Sequence, residues 1–457
     1  MTAHPTAREA LRFWLKLGFI SFGGPAGQIA IMQTELVERK KWIGPERFLH
    51  ALNCCMILPG PEAQQLAIYC GWLLHGVRGG IAAGALFVLP SAFILWGLSA
   101  VYVTWGNVPW LTAFFYGLKP AVMAVVAAAV LRIGTKALTN RVLWGIAAAA
   151  FALIFFGHVP FPAIVLGAAA AGWLGGKIAP GKFILAGGPG GDGENRHSTA
   201  GDTRPAPERA AVDDAAVAAT VRPTWARATR VAGVCGALWV APIIVAGWSQ
   251  GWASTLPREG IFFSKAAMVT FGGAYAVLPY VGQQAVENYG WITAPQMLDG
   301  LAFAETTPGP LIMVLQFVGF LGGWNHPGPL PPLVAATLGA AMTTWTTFVP
   351  CFLWIFIGAP HLERLRDVRL LSAALRAVTA AVVGVMLNLA VWFAGHVIFP
   401  HGFDDGWRTQ AALAGTDWFA LAVVVGAFVA LHRFKASLVA VIVICGVVGL
   451  GWTTLIS

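Results

Sequence analysis

Apolar positions in this chain fall in long continuous runs, not in alternation. Runs lie near residues 13–34, 51–75, 81–104, 111–133, 143–157 and 160–176, and again near 231–250, 262–282, 300–320, 333–358, 371–396, 413–431 and 436–455. Most reach the roughly 20 residues that an α-helix needs to cross a bilayer. The pattern predicts an all-α integral membrane protein, and the lack of alternation excludes a β-barrel.

The polar positions are organised by a duplication. Phe22-Gly23-Gly24, Trp42-Ile43 and Pro59-Gly60-Pro61 recur as Phe271-Gly272-Gly273, Trp291-Ile292 and Pro308-Gly309-Pro310, each displaced by 249 residues without a gap. The same register pairs Lys16 with Lys265 and Ser21 with Thr270, and beyond an insertion in the second half the match resumes with Val122 on Val382. Two homologous halves are predicted at 1–176 and 251–457, joined by a connecting membrane helix at 231–250. Both carry Gly/Pro breaks inside apolar segments, and paired breaks of this kind point to the substrate site of a secondary transporter. Between the halves, 177–230 carries Gly-Gly-Pro-Gly-Gly-Asp-Gly followed by a mixed-charge stretch and reads as a flexible cytoplasmic linker.

Charge sets the orientation. The 35–47 loop holds Arg39, Lys40, Lys41 and Arg47, whereas its counterpart at 284–299 has Glu287 and Asp299 and no Lys or Arg. The 105–110 loop is uncharged, whereas its counterpart at 359–370 holds Arg364, Arg366 and Arg369. Because cytoplasmic loops concentrate Lys and Arg, this reversal predicts an inverted repeat. Basic residues flank both sides of 13–34 and 51–75, so these segments are expected to be re-entrant, with a full kinked span as the alternative. The amino end is then cytoplasmic and the carboxyl end periplasmic.

Composition narrows the function class. With 57% apolar and 11% charged residues the chain does not suit a soluble globule. The net charge of +9 comes from loops beside apolar runs, so the implied partner is the lipid bilayer, not nucleic acid. Six Cys (54, 55, 70, 235, 351 and 445) and ten scattered His lack metal-ligand spacing, so neither a metal nor a cofactor is expected. No Walker-type nucleotide cradle is present. The run from Phe13 leads into another membrane segment and does not read as a cleavable signal.

The candidate chemistry lies at the breaks. Each half-helix that starts after a break offers unpaired N–H groups and a positive dipole end, an anion site by construction. Gly23, Gly24, Gly272 and Gly273 would allow close backbone approach, and Pro59-Gly60-Pro61 and Pro308-Gly309-Pro310 would act as stiffer turns. Lys16 and Lys265 precede Phe22 and Phe271 by six residues and suit a divalent anion, although each also lies near enough to its run's end to snorkel. Lys119, in the middle of 111–133, is a further cationic candidate. Ser21, Thr270 and Thr307 are candidate hydroxyl donors, or else helix–helix contacts. Glu62 and Glu305 flank the Pro-Gly-Pro turns and are candidate coupling groups, with ion pairing as the other option.

Taken together, Phe19-Ile20-Ser21-Phe22-Gly23-Gly24-Pro25, Lys41-Trp42-Ile43 and Leu58-Pro59-Gly60-Pro61, with Thr270-Phe271-Gly272-Gly273-Ala274-Tyr275 and Thr306-Thr307-Pro308-Gly309-Pro310, resemble the chromate ion transporter (CHR) family in its long two-domain form. The resemblance covers essentially the whole chain. It implies a bacterial inner-membrane carrier that exports chromate, confers chromate resistance and draws on the membrane potential or proton gradient. Its motif positions carry over onto Phe22, Gly23, Gly24, Pro59, Gly60 and Pro61 and their repeat partners. Sulfate, a tetrahedral dianion of similar size, is the alternative substrate, and a membrane-embedded phosphate-ester hydrolase is the remote one. The oligomeric state stays open, with a homodimer among the options.

Overall fold

The computed structural model describes residues 4–22, 24–106, 108–183, 224–271, 273–362, 369–399 and 415–456. Gly23 and Gly272 lie outside these residues, as do Arg364, Arg366 and most of the linker. Every regular element among the described residues is helical. The first half comprises α1 (Ala7–Ile20), α2 (Gly24–Gln33), α3 (Pro45–Ile57), α4 (Glu62–Trp105), α5 (Pro109–Ala137), α6 (Arg141–Phe155) and α7 (Phe161–Ile178). After α8 (Trp225–Gln250) the second half follows as α9 (Thr255–Met268), α10 (Ala274–Gln283), α11 (Ala294–Thr306), α12 (Val314–Asn325), α13 (Pro332–Leu362), α14 (Arg369–Ile398), α15 (Trp418–His432) and α16 (Leu438–Ile456). Seven described helices are long and apolar enough to cross a membrane.

The duplication extends to backbone detail. Lys40 N–H donates to Glu35 O and Tyr289 N–H to Gln284 O, each at 2.9 Å, so α2 and α10 end in matching π turns. Trp42 N–H bonds Leu36 O and Trp291 N–H bonds Ala285 O, each at 2.8 Å, and both indoles turn into the core. The insertion lies between α12 and α13. Where the second half has a Pro-Gly loop, α4 instead kinks at His75 (φ −138°) and Gly76 (φ 62°), and beyond this point the offset becomes 260 residues, aligning Pro90 with Pro350. The helix expected at 231–250 begins earlier, at Trp225.

Packing is exchanged between the halves. The central helices α4 and α13 pack on each other, as do α5 and α14. Around them α7 and α6 lie on α14, while α16 and α15 lie on α5, so each half's last helix pair covers the other half's core helix. Small residues allow the close approach. A methyl at Gly117 would collide with the Cys445 carbonyl of α16, and one at Gly384 with the Ala147 carbonyl of α6.

The helices beside the breaks are short, α1 having 14 residues, α2 10, α3 13 and α12 12. At 1.5 Å per residue none crosses a bilayer alone. The start of α1 is fixed by a capping box in which the Thr6 N–H and hydroxyl both donate to Glu9 Oε2 at 2.8 Å. These bonds hold the Glu9 carboxyl below the usual carboxylate range.

Candidate functional site

The four breaks are stitched together across the halves. Gly60 N–H donates to Thr270 O at 2.8 Å, and its repeat partner Gly309 N–H donates to Ser21 O at 2.7 Å. Gln28 Nε2–H adds a bond to Gly309 O at 2.6 Å. Within each half, α2 packs on α4 and α10 on the Leu311–Met313 turn that leads into α12. The breaks therefore form one connected group, built equally from both halves.

The glycines divide into two kinds. All four described break glycines have positive φ, 71° at Gly24, 97° at Gly273, 116° at Gly60 and 112° at Gly309, so side chains are disfavoured at each. A Cβ at Gly24 or Gly273 would meet nothing within 4 Å, whereas one at Gly60 would lie 3.0 Å from Cys351 Sγ and one at Gly309 would collide with Ser91. Ser91 and Cys351 are themselves repeat partners. Gly24 and Gly273 thus border open space, and Gly60 and Gly309 lock the breaks onto α13 and α4.

Helix starts supply the electrostatics. The residues preceding α4, α10 and the Leu311–Met313 turn are Pro61, Gly273 and Pro310, none of which has a side chain able to cap. Their first-turn N–H groups keep their donor capacity, and each start carries roughly +0.5 of an elementary charge.

The hydroxyl candidates each bond a carbonyl of their own helix. Ser21 Oγ–H donates to Leu17 O at 2.6 Å and Thr270 Oγ1–H to Ala266 O at 2.7 Å, while Thr307 Oγ1–H donates to Phe303 O at 2.8 Å. Each side chain caps a carbonyl in the last turn of its own helix; Phe303 O also accepts from Thr307 N–H and Ala266 O from Val269 N–H.

The charged candidates separate. Lys16 and Lys265 are exposed, on the faces of α1 and α9 opposite Phe13, Leu17, Phe262 and Ala266. Lys119 is half-buried in α5 and close enough to Asp299 to act on it electrostatically. Asp299 is no loop charge. It sits in α11, 3% exposed, and accepts from the Tyr102 hydroxyl at 2.9 Å. Tyr275, just after the second-half Gly-Gly break, donates to Glu305 Oε1, just before the Pro-Gly-Pro turn. Glu62 occupies the first turn of α4, where its charge competes for the same dipole end as a bound anion. Phe22 is exposed and Phe271 half-buried, and Pro59 and Pro308 are each half-buried beside buried Pro61 and Pro310.

Sequence reasoning missed the burial of Gln28 in α2, Glu259 in α9 and Asp299 in α11. All three are polar residues in helices whose burial depends on which helix lies opposite. The repeat register did hold the signal for Glu259, which faces Ala10 in the alignment.

Comparison with known proteins agrees with this architecture. The profile described as chromate transporter matches residues 8–173 and 260–450, one match per half. A chromate transport protein of Pseudomonas aeruginosa is 34% identical over 378 residues, 82% of this chain and 77% of that one. One of Cupriavidus metallidurans is 28% identical over 387 residues, 84% and 82% of the two chains. An uncharacterized transporter of Methanocaldococcus jannaschii is 23% identical over 396 residues, 86% and 85%. No solved structure matches. With both halves matched and the breaks of each intact, the chain belongs to the chromate transporter family, a duplicated, all-α, multi-pass membrane protein.

Proposed function

We propose that the chain is a secondary active transporter that exports chromate across a bacterial inner membrane and so confers chromate resistance. The observation that carries this reading is the reciprocal pair of backbone bonds, Gly60 to Thr270 and Gly309 to Ser21, which gathers uncapped helix starts from both halves at one place. An oxyanion at Gly24 and Gly273 would be held by main-chain N–H groups and dipole ends, and the substrate class follows from the relatives' names.

In this reading the halves at 1–176 and 251–457 are inverted in the membrane, the linker is cytoplasmic and the carboxyl end periplasmic. Rocking of one half against the other, with the breaks as the fixed point, gives alternating access. Lys16 and Lys265, exposed on the helices that enter the breaks, raise the local anion concentration at the two mouths, and Lys119 contributes from one side. Glu62 and Glu305 are groups whose charge must be cancelled while the anion is bound.

Sulfate is a second reading with its own support, because N–H donors with no side-chain hydroxyl contribution recognise tetrahedral oxygens generically. The test is transport of labelled chromate by purified protein in proteoliposomes, with the proton gradient and membrane potential imposed separately and excess sulfate as competitor. Accumulation that resists sulfate supports a dedicated chromate carrier. Suppression by sulfate makes sulfate the physiological anion, and failure of both anions to move removes the reading.

A further inference from the structure

Glu259 of α9 is fully buried, and neither carboxylate oxygen has a hydrogen-bond partner. It is wedged between helices at glycines. A methyl at Gly322 of α12 would collide with Oε1, and one at Gly339 of α13 would lie 2.9 Å from Oε2. Among the described residues no charged side chain acts on it from α8, α12 or α13. Its chain neighbour Arg258 is exposed. Among the described residues that line its cavity, Gln250 and Thr255 included, the other titratable group is His326, whose Nε2 lies 3.0 Å from Gly290 O. That cavity has a volume of about 10 Å³, room for a single water, and His326 at its rim is exposed.

A polar stripe runs from this carboxylate to the breaks. Gly339, Thr343, Thr347 and Cys351 succeed one another at four-residue spacing on one face of α13. Gly339 abuts Glu259, Thr343 Oγ1 abuts Gly319 of α12, and Cys351 Sγ abuts Gly60. The hydroxyls of Thr343 and Thr347 are buried and unpartnered, although Thr337, Thr344 and Thr346 of the same helix all donate to the carbonyl four residues back. From Gly339 to Cys351 the stripe rises about 18 Å along the helix.

The duplicate half shows that the fold does not need these groups. At the positions of Glu259, Thr343 and Thr347 it has Ala10, Ala83 and Phe87, all buried. Burying a carboxylate and two hydroxyls without partners costs several kcal/mol relative to such residues. Symmetric folding therefore does not account for them.

We infer that Glu259 is a proton-binding site that couples anion movement to the proton gradient, loaded through the cavity at His326 and linked to the break at Gly60 through Thr343 and Thr347. One proton adds to a carboxylate oxygen and cancels its charge, and it leaves when the cavity opens to a less acid side. In the proposed topology His326 faces the periplasm, so protons enter as chromate leaves. The inference takes its cargo, but not its proton site, from the transport reading above.

Two measurements on the purified full-length chain test it separately. In pH-step infrared difference spectra, the wild type is expected to show the carbonyl stretch of a buried carboxylic acid. This band should be absent in Glu259→Gln and in Glu259→Ala, the residue that the other half tolerates at the equivalent position. In proteoliposomes both variants should retain chromate counterflow and lose accumulation driven by a pH gradient, while Thr343→Val/Thr347→Val should keep the band and slow that accumulation. An unchanged band in Glu259→Gln, wild-type accumulation by both variants, or a sodium gradient replacing the proton gradient overturns the inference. A wild type that shows the band but moves no chromate overturns the cargo reading and leaves the proton site standing.

Discussion

Gly60 N–H donates to Thr270 O across the boundary between the halves, and the 249-residue shift converts this bond into the one from Gly309 to Ser21. The two bonds trade places when the halves are exchanged, so the contact between the halves is reciprocal. The breaks are thus bound to each other by main chain, whatever side chains surround them. An alternating-access carrier needs such a fixed centre about which two halves rock.

The locking glycines should respond unequally to a methyl. Gly60→Ala has the positive-φ strain and a 3.0 Å contact with a thiol and an amide that can shift, whereas Gly309→Ala has the same strain and a collision with Ser91 Cβ. Strain and overpacking each cost about 1–3 kcal/mol. Thermal unfolding in detergent should therefore rank wild type above Gly60→Ala and Gly60→Ala above Gly309→Ala, with Ser91→Gly partly restoring Gly309→Ala. Equal loss in both variants would mean that Ser91 does not hold the break.

The open glycines should separate folding from transport. Gly24 has φ 71° and free space at its Cβ, so Gly24→Ala costs only about 1–2 kcal/mol of backbone strain. Its methyl nevertheless enters the space assigned to the anion. Gly24→Ala is expected to reach the membrane in normal amount with reduced chromate transport, and Gly24→Leu to be inactive. Wild-type rates in Gly24→Leu would place the anion elsewhere.

Much of this arrangement is legible in the chain and some is not. The gapless repeat of Phe-Gly-Gly and Pro-Gly-Pro displays the breaks, because both need residue types that few other positions require. The pairing of each break with one from the opposite half is not legible, since it depends on helix docking, to which no residue type is specific. Asp299 reads as a loop charge because an acidic residue beside Pro295 and Gly300 looks solvated, yet Tyr102 from α4 reaches it. Ser21 and Thr270 read in the sequence as anion donors or as helix–helix contacts. Their position at a helix end, with a last-turn carbonyl four residues back, accounts for the bonds they make.

Removing those hydroxyls should affect stability more than affinity. Ser21→Ala and Thr270→Val each leave a buried helix-end carbonyl with one fewer donor, a loss of about 1 kcal/mol. The KM for chromate in proteoliposomes should stay within about threefold of wild type, less than the factor expected for a lost charge-assisted bond. A KM rise of about tenfold or more, with unchanged unfolding temperature, would return the hydroxyls to the anion site.

The Tyr102–Asp299 pair gives a test that does not depend on the substrate. Asp299 Oδ1 already lacks a partner, and Tyr102→Phe would strip Oδ2 as well, leaving Lys119 as the balancing charge. Tyr102→Phe should destabilise by about 1–3 kcal/mol, and Asp299→Asn added to Tyr102→Phe should recover part of that loss by removing the unpaired charge. Additive effects in a double-mutant cycle of unfolding free energies would show that the two residues do not act as a pair.

Orientation can be read at a pair of sites one residue apart in the repeat register. Lys40 and Asn288 are both exposed, at the ends of the matching π turns that follow α2 and α10. If the halves were parallel, probes at these sites would be reached from the same side. If they are inverted, Asn288→Cys should react with a membrane-impermeant maleimide in intact cells, and Lys40→Cys only after permeabilisation. Of the native thiols, Cys54, Cys55, Cys70, Cys351 and Cys445 are buried and Cys235 is half-buried, so a Cys235→Ala background keeps the readout clean. Labelling of both sites from outside would exclude the inverted arrangement. Labelling of Lys40→Cys alone would keep the inversion but turn the whole molecule over, converting the proposed periplasmic entry at His326 into a cytoplasmic one.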